Sequence, residues 1–130
     1  MIFDTTKEIG DFGETRAVHY LRLRGYTVKE RNWRHGKGEL DIIAATPKSI
    51  VFVEVKTRSY TSEAADEAPP PGNAVRIDKK RLTRQTALAY LHQYPTKKNP
   101  RMDVIEVFLE KNPTRKKPKV LRINHIKGAY

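Results

Sequence analysis

Two apolar runs, Asp41-Ile42-Ile43-Ala44-Ala45 and Ile50-Val51-Phe52-Val53-Glu54-Val55-Lys56, are separated only by Thr46-Pro47-Lys48-Ser49. Runs this rich in β-branched residues, broken by a short Pro-containing segment, predict a buried β-hairpin. A turn centred between Pro47 and Lys48 sets Ile43 opposite Phe52 and Asp41 opposite Glu54. Cross-strand partners share a face, with Cβ atoms roughly 4.5–5.5 Å apart, and Lys56 joins Glu54 on that face because side chains alternate with period two.

A strand buried on both faces should read as an unbroken apolar run, yet this hairpin carries Asp41, Glu54 and Lys56. Two carboxylates so close repel each other, and in a partly buried site one pKa rises unless a cation neutralises the pair. Mg²⁺ and Mn²⁺ suit such a place, since they favour oxygen ligands: one or two carboxylates with water and phosphate oxygens. Asp41, Glu54 and the Val55 carbonyl are the candidate metal ligands. Lys56 is suited to activate an attacking water and to stabilise the charge that develops when a phosphodiester is hydrolysed. The plain alternative is a hairpin whose charged ends reach solvent, with Glu54 and Lys56 as a surface pair. Asp78-Lys79-Lys80 repeats the same acid-x-Lys spacing at an expected helix start, where an N-terminal carboxylate explains it. The apolar strand, the opposed Asp41 and a core-facing Glu14 set residues 54–56 apart.

Glu14 belongs to an expected helix over about 5–24, opened by the capping-box pattern Thr5-x-x-Glu8 and closed by Gly25. At 100° per residue, Glu14 falls near the centre of the stripe formed by Ala17, Val18 and Leu21. Tyr26-Thr27-Val28 suggests a short edge strand, followed by a basic turn from Arg31 to Gly38 containing Trp33. Residues 57–74 lack apolar periodicity and suggest a long mobile loop. A second helix is expected from Asp78 to Tyr94, stopped by Pro95. Strands are expected at 101–109 and 120–126, with a basic turn between them. The order predicts one α/β domain over residues 1–130, a mixed sheet flanked by helices, with strand 101–109 parallel to strand 50–56.

The 130 residues carry 26 Lys and Arg against 15 Asp and Glu, a formal charge of +11. Such an excess attracts polyanions, nucleic acid first among them. The candidate phosphate contacts are Arg34 in the basic turn, Arg58 beyond the hairpin, and Lys79, Lys80, Arg81 and Arg84 at the start of the second helix. With no cysteine, disulfides and thiolate zinc sites are excluded. No apolar stretch approaches the roughly 20 residues needed to cross a bilayer and no signal peptide opens the chain, so the expectation is a soluble cytoplasmic protein.

The sequence resembles the YraN-like family of bacterial proteins, itself similar to archaeal Holliday-junction resolvases within the PD-(D/E)XK nuclease superfamily. The resemblance is carried by Gly10-x-x-Gly13-Glu14, Gly25-Tyr26, Arg31-Asn32-Trp33-Arg34, Gly38-Glu39-Leu40-Asp41-Ile42-Ile43, Phe52-Val53-Glu54-Val55-Lys56-Thr57-Arg58 and Arg101-Met102-Asp103-Val104-Ile105. It implies a restriction-endonuclease-like core, a Mg²⁺ or Mn²⁺ ion at Asp41 and Glu54, Lys56 as the catalytic lysine and Glu14 as the helix-borne acid. Glu39, also in the pattern, is expected just outside the hairpin on Asp41's face, supporting the site or lying near a phosphate. Related nucleases often carry Gln-x-x-x-Tyr on the following helix. Here Gln85 and Tyr90 stand one residue further apart, so Gln85 either supports the site or packs the helix. Asp103 beside Arg101 reads as an ion pair at a sheet edge.

The expected activity is metal-dependent hydrolysis of DNA in repair, recombination or DNA processing, where a homodimer would suit a two-fold junction. The alternatives are the same chemistry on RNA, or a nucleic-acid-binding module that keeps the fold without catalysis.

Overall fold

The computed structural model describes residues 6–61, 77–111 and 117–130. The elements run α1 (Thr6–Leu23), β1 (Thr27–His35), β2 (Gly38–Ala45), β3 (Ser49–Thr61), α2 (Ile77–Gln93), β4 (Asn99–Lys111) and β5 (Lys119–Ile126). The strands form one sheet in the order β1-β2-β3-β4-β5. All neighbours are antiparallel except β3 and β4, which run parallel as expected across the α2 connection.

α1 ends in a Schellman motif. Gly25 takes φ 86°, its N–H donates to the Arg22 carbonyl, and the Tyr26 N–H donates to that of Leu21, each at 3.1 Å. A left-handed residue here reverses the chain into β1 while satisfying carbonyls the helix leaves open. The inward stripe is the expected one: Ala17, Val18 and Leu21 are buried on one face of the sheet against Ile42, Ala44, Val51, Val53, Ile105, Val107 and Leu109. The opposite face packs Leu40, Ile43, Ala45, Ile50 and Phe52 beneath Ala87 and Tyr90 of α2. Burying a side chain the size of Leu21 or Phe52 stabilises by about 2–3 kcal/mol, so both helices are held chiefly by these contacts.

Two expectations are corrected. The basic turn at 31–38 is for the most part strand: β1 spans nine residues and pairs with β2 as far as His35↔Gly38. Its charged sequence suits an edge strand that must resist further pairing. The loop expected from residue 57 begins later, because β3 continues to Thr61 in unbroken parallel register with β4. The remainder of that loop, 62–76, lies outside the described residues, as does Thr5 of the expected capping box.

Candidate functional site

The hairpin register is as expected between Ile42↔Val53 and Ala45↔Ile50, but the β2–β3 ladder stops there. It ends one rung before Asp41 and Glu54 would pair. Leu40 packs on the α2 side and Ile42 on the α1 side, although alternation would give them the same face. The chain therefore turns over at Asp41. β1 is distorted opposite the same place: Asn32 takes φ 53°, and the pairing passes from Arg31↔Ile42 to Trp33↔Leu40 without it. Asn is among the few non-glycine residues that enter this region readily.

These paired distortions open a fork between β2 and β3, and Asp41 stands in it. Its Oδ2 accepts a hydrogen bond from the Val55 N–H at 2.8 Å. In an extended strand the N–H and C=O of one residue point to the same side, so the Val55 carbonyl is directed toward the fork as well. Asp41 lines a cleft on each face of the sheet. The α1-side cleft, about 640 Å³, includes Glu14, Asn32, Arg34, Glu39, Val55 and Thr57. The α2-side cleft, about 200 Å³, includes Lys37, Glu39, Glu54, Leu82 and Thr83.

Glu14 reaches the fork because α1 approaches β3 closely at the preceding residue. A Cβ on Gly13 would overlap the Thr57 side chain. Glu14 is 8 % exposed, and its Oε1 accepts from Arg31 Nε at 3.2 Å and Asn32 Nδ2 at 3.0 Å. Glu54, 5 % exposed, projects on the α2 face with Ile50 and Phe52, and Lys56 Nζ lies 3.3 Å from its Oε1. Asp41 and Glu54 are thus not opposed partners on one face. The acids straddle the sheet, with Glu14 on one side, Glu54 on the other and Asp41 between them.

The electrostatics follow from this placement. Burial pushes the Asp41 carboxyl up to about 6, with Glu14, Glu54 and Glu39 adding to the rise and the Val55 hydrogen bond opposing it. Such a group is discharged either by a proton or by a cation. Among the described residues no three histidines and carboxylates are grouped as a ready-made metal cage. The donors facing the fork are hard oxygens, and Mg²⁺ characteristically takes only one or two carboxylates and completes its shell with water and phosphate. The residues present fit that kind of ion.

Other expected residues divide. Glu39 lines both clefts and is held by Arg34 Nε at 2.6 Å, while Arg58 is half-buried and lines neither. Arg81 is exposed, and Lys80 and Arg84 lie 5.7 and 5.8 Å from the Tyr130 ring centroid. The Lys79 side chain lies outside those described. Gln85 is exposed and lines neither cleft at Asp41; Leu82 and Thr83 line the smaller one.

Asp103 forms the expected pair with Arg101, but not at a sheet edge. It is fully buried on β4, between β3 and β5. It accepts two bonds from Arg101 at 2.8 Å, lies 2.6 Å from His125 Nε2, and accepts the Gly128 N–H at 3.0 Å. Burial alone would raise its pKa, yet the bonds from His125, Arg101 and Gly128 bring it down to about 2. Sequence reasoning gave no role to Arg31 and Asn32, the partners of Glu14, nor to Glu106. Glu106 is 1 % exposed, lies beside Lys56 in the parallel ladder and accepts from Asn124 at 2.9 Å. An acid inside the run Val104-Ile105-Glu106-Val107-Phe108-Leu109 was the available signal.

An α/β sheet of five strands between two helices, with carboxylates gathered where two central strands part, defines the kind of domain this is. The family described as "Uncharacterised protein family UPF0102" matches residues 13–107, and the chain belongs to it; this is the YraN-like family. It is 41 % identical over 123 residues to a UPF0102 protein of Bacteroides thetaiotaomicron, covering 95 % of this chain and 92 % of that one. It is 39 % identical over 127 residues to one of Alkaliphilus oremlandii, covering 95 % and 98 %. Among the described residues no helix is long and apolar enough to cross a membrane.

Proposed function

We propose that this protein is a divalent-metal-dependent nuclease of the PD-(D/E)XK type that hydrolyses phosphodiester bonds, with DNA as its substrate in repair, recombination or DNA processing. The observation that carries the reading is Asp41. It is a carboxyl held in a strand fork, pushed up to about 6 by burial and by the carboxylates of Glu14, Glu54 and Glu39, in a chain of formal charge +11. Glu14, Glu39 and Glu54 each have a cationic partner, whereas Asp41 has none among the described residues, and a buried carboxylate left so costs several kcal/mol unless a proton or a cation neutralises it.

Asp41, Glu54 and the Val55 carbonyl would hold Mg²⁺ or Mn²⁺, which when bound supplies Lewis-acid polarisation of a phosphoryl oxygen. The protein's own groups do the rest. Glu14, fixed by Arg31 and Asn32, sets the acidic wall on the α1 side. Lys56, anchored on Glu54, offers a cation and a proton-transfer group on the other. Arg34 and Lys37 at the cleft rims attract the phosphate backbone.

The test is incubation of branched, duplex and single-stranded DNA and RNA with Mg²⁺ or Mn²⁺, beside Asp41→Ala and Lys56→Ala. The proposal expects DNA cleavage that each substitution reduces at least a hundredfold, in line with loss of a principal catalytic group. Cleavage unchanged in both variants excludes this site. A second reading, a binding module without catalysis, is favoured by the formal charge of +11, which attracts polyanions whether or not they are cut; binding of nucleic acid with no cut in either metal would select it. Cleavage confined to RNA would move the substrate and keep the chemistry.

A further inference from the structure

Trp33, the only tryptophan, lies on β1, the edge strand, two residues from His35. Their rings are parallel to within 5° with centroids 6.0 Å apart. Tyr90 of α2 braces Trp33 edge-on at 5.2 Å, and itself packs against Phe52 at 5.9 Å and Tyr94 at 4.9 Å. The row therefore starts in the core at Phe52 and ends at the surface, where His35 is exposed and Tyr94 is 46 % exposed. Folding alone needs the buried end, not a parallel aromatic stack carried out to solvent. A ring fixed from behind loses little further freedom when a flat ligand lies on it.

Its position selects the ligand. β1 ends at His35, the chain turns through Gly36 and Lys37, and Lys37 lines the cleft shared by Asp41 and Glu54. Arg34, between the two rings in sequence, lines the cleft on the other face. An anionic chain entering the fork past these cations brings a neighbouring residue of that chain against the stack. The geometry points to a base-stacking platform: an unpaired nucleobase lies on the His35–Trp33 stack, so the ligand is nucleic acid with unpaired nucleotides beside the fork. This rests on the nuclease reading and narrows its substrate. Bases inside an intact duplex are already stacked on each other and offer no free face, whereas single strands, branches and frayed ends do.

The test is run without divalent metal, so that nothing is cut. Three probes are titrated into the full chain: an oligothymidylate of about a dozen nucleotides, a strand of the same length built of abasic sites, and a blunt duplex. Anisotropy of a labelled strand reports affinity and the emission of Trp33 reports the stack. The platform predicts that thymidylate quenches Trp33 and binds about five- to a hundredfold more tightly than the abasic strand, while the duplex leaves emission unchanged. His35→Ala, at an exposed position, should remove most of that preference. His35→Tyr should keep it, and His35→Lys, which offers charge without a ring, should not. Equal affinity for thymidylate and abasic strands overturns the platform, as does a His35→Lys variant that behaves like the unmodified protein. If metal-dependent cleavage persists alongside such a result, the platform alone has failed. Failure to bind any nucleic acid would remove the nuclease reading with it.

Discussion

Asp41 Oδ2 accepts the backbone N–H of Val55 at 2.8 Å, a bond that in a continuing hairpin would go to a backbone carbonyl of β2. One side chain therefore ends the β2–β3 ladder without leaving a buried donor unsatisfied, and is itself held at the point where the strands part.

This placement has a pH signature. The Asp41 carboxyl titrates near 6 in the folded chain against an ordinary 3.8, so the folded state holds its proton more tightly. Its contribution to stability is complete below about pH 4 and is lost as pH rises through 6, by on the order of 3 kcal/mol. Asp41→Asn, which keeps an oxygen for Val55, should be more stable than the parent at pH 7–8 and nearly equal at pH 4. Urea denaturation across that range checks the crossover.

Asp103 predicts the opposite slope in a separate window. Its folded pKa, about 2, lies below the ordinary 3.8, so its contribution is present above pH 4 and is lost as pH falls through 2. Asp103→Ala takes the acceptor from half-buried Arg101, from the buried His125 side chain and from the Gly128 N–H; a buried polar group left unsatisfied costs about 1–3 kcal/mol, and the loss should appear at neutral pH. Denaturation midpoints measure this. Cleavage per folded molecule should be unchanged, because Asp103 lines neither cleft at Asp41.

Gly13→Ala should be costly out of proportion to its size. The added methyl meets Thr57 Oγ1, Cγ2 and Cβ, and overpacking of this kind costs about 1–3 kcal/mol. The same push displaces Glu14, the next residue. Thr57→Ala in combination should recover part of the lost stability, as a double-mutant cycle of thermal melts would show.

The helices, the hairpin register and the parallel β3–β4 pairing were legible because each rests on a local pattern: the 3.6-residue stripe through Leu21, the four-residue break at Thr46–Ser49, and a connection long enough for a crossover. β1 was not legible beyond Val28, because an edge strand exposed to water shows no alternation of apolar residues, and the stretch from Arg31 read as a basic turn. The acids were found by their type in apolar surroundings, but not their faces. Alternation predicts faces only while a ladder is regular, and the turnover at Asp41 depends on Asn32 in a neighbouring strand. Glu106 went unnoticed for another reason: no motif drew attention to it, although an acid within an apolar strand is the signal that singled out Glu54.

The fork as a metal centre is tested most directly by titrating Mn²⁺ into the protein and following the electron paramagnetic resonance of the free ion. The unmodified protein should remove one Mn²⁺ per chain from solution, more tightly at pH 8 than at pH 5, where Asp41 keeps its proton. Asp41→Asn should abolish that binding while remaining folded. Equal uptake by the two proteins, or none by either in the presence of a DNA strand, would contradict the account.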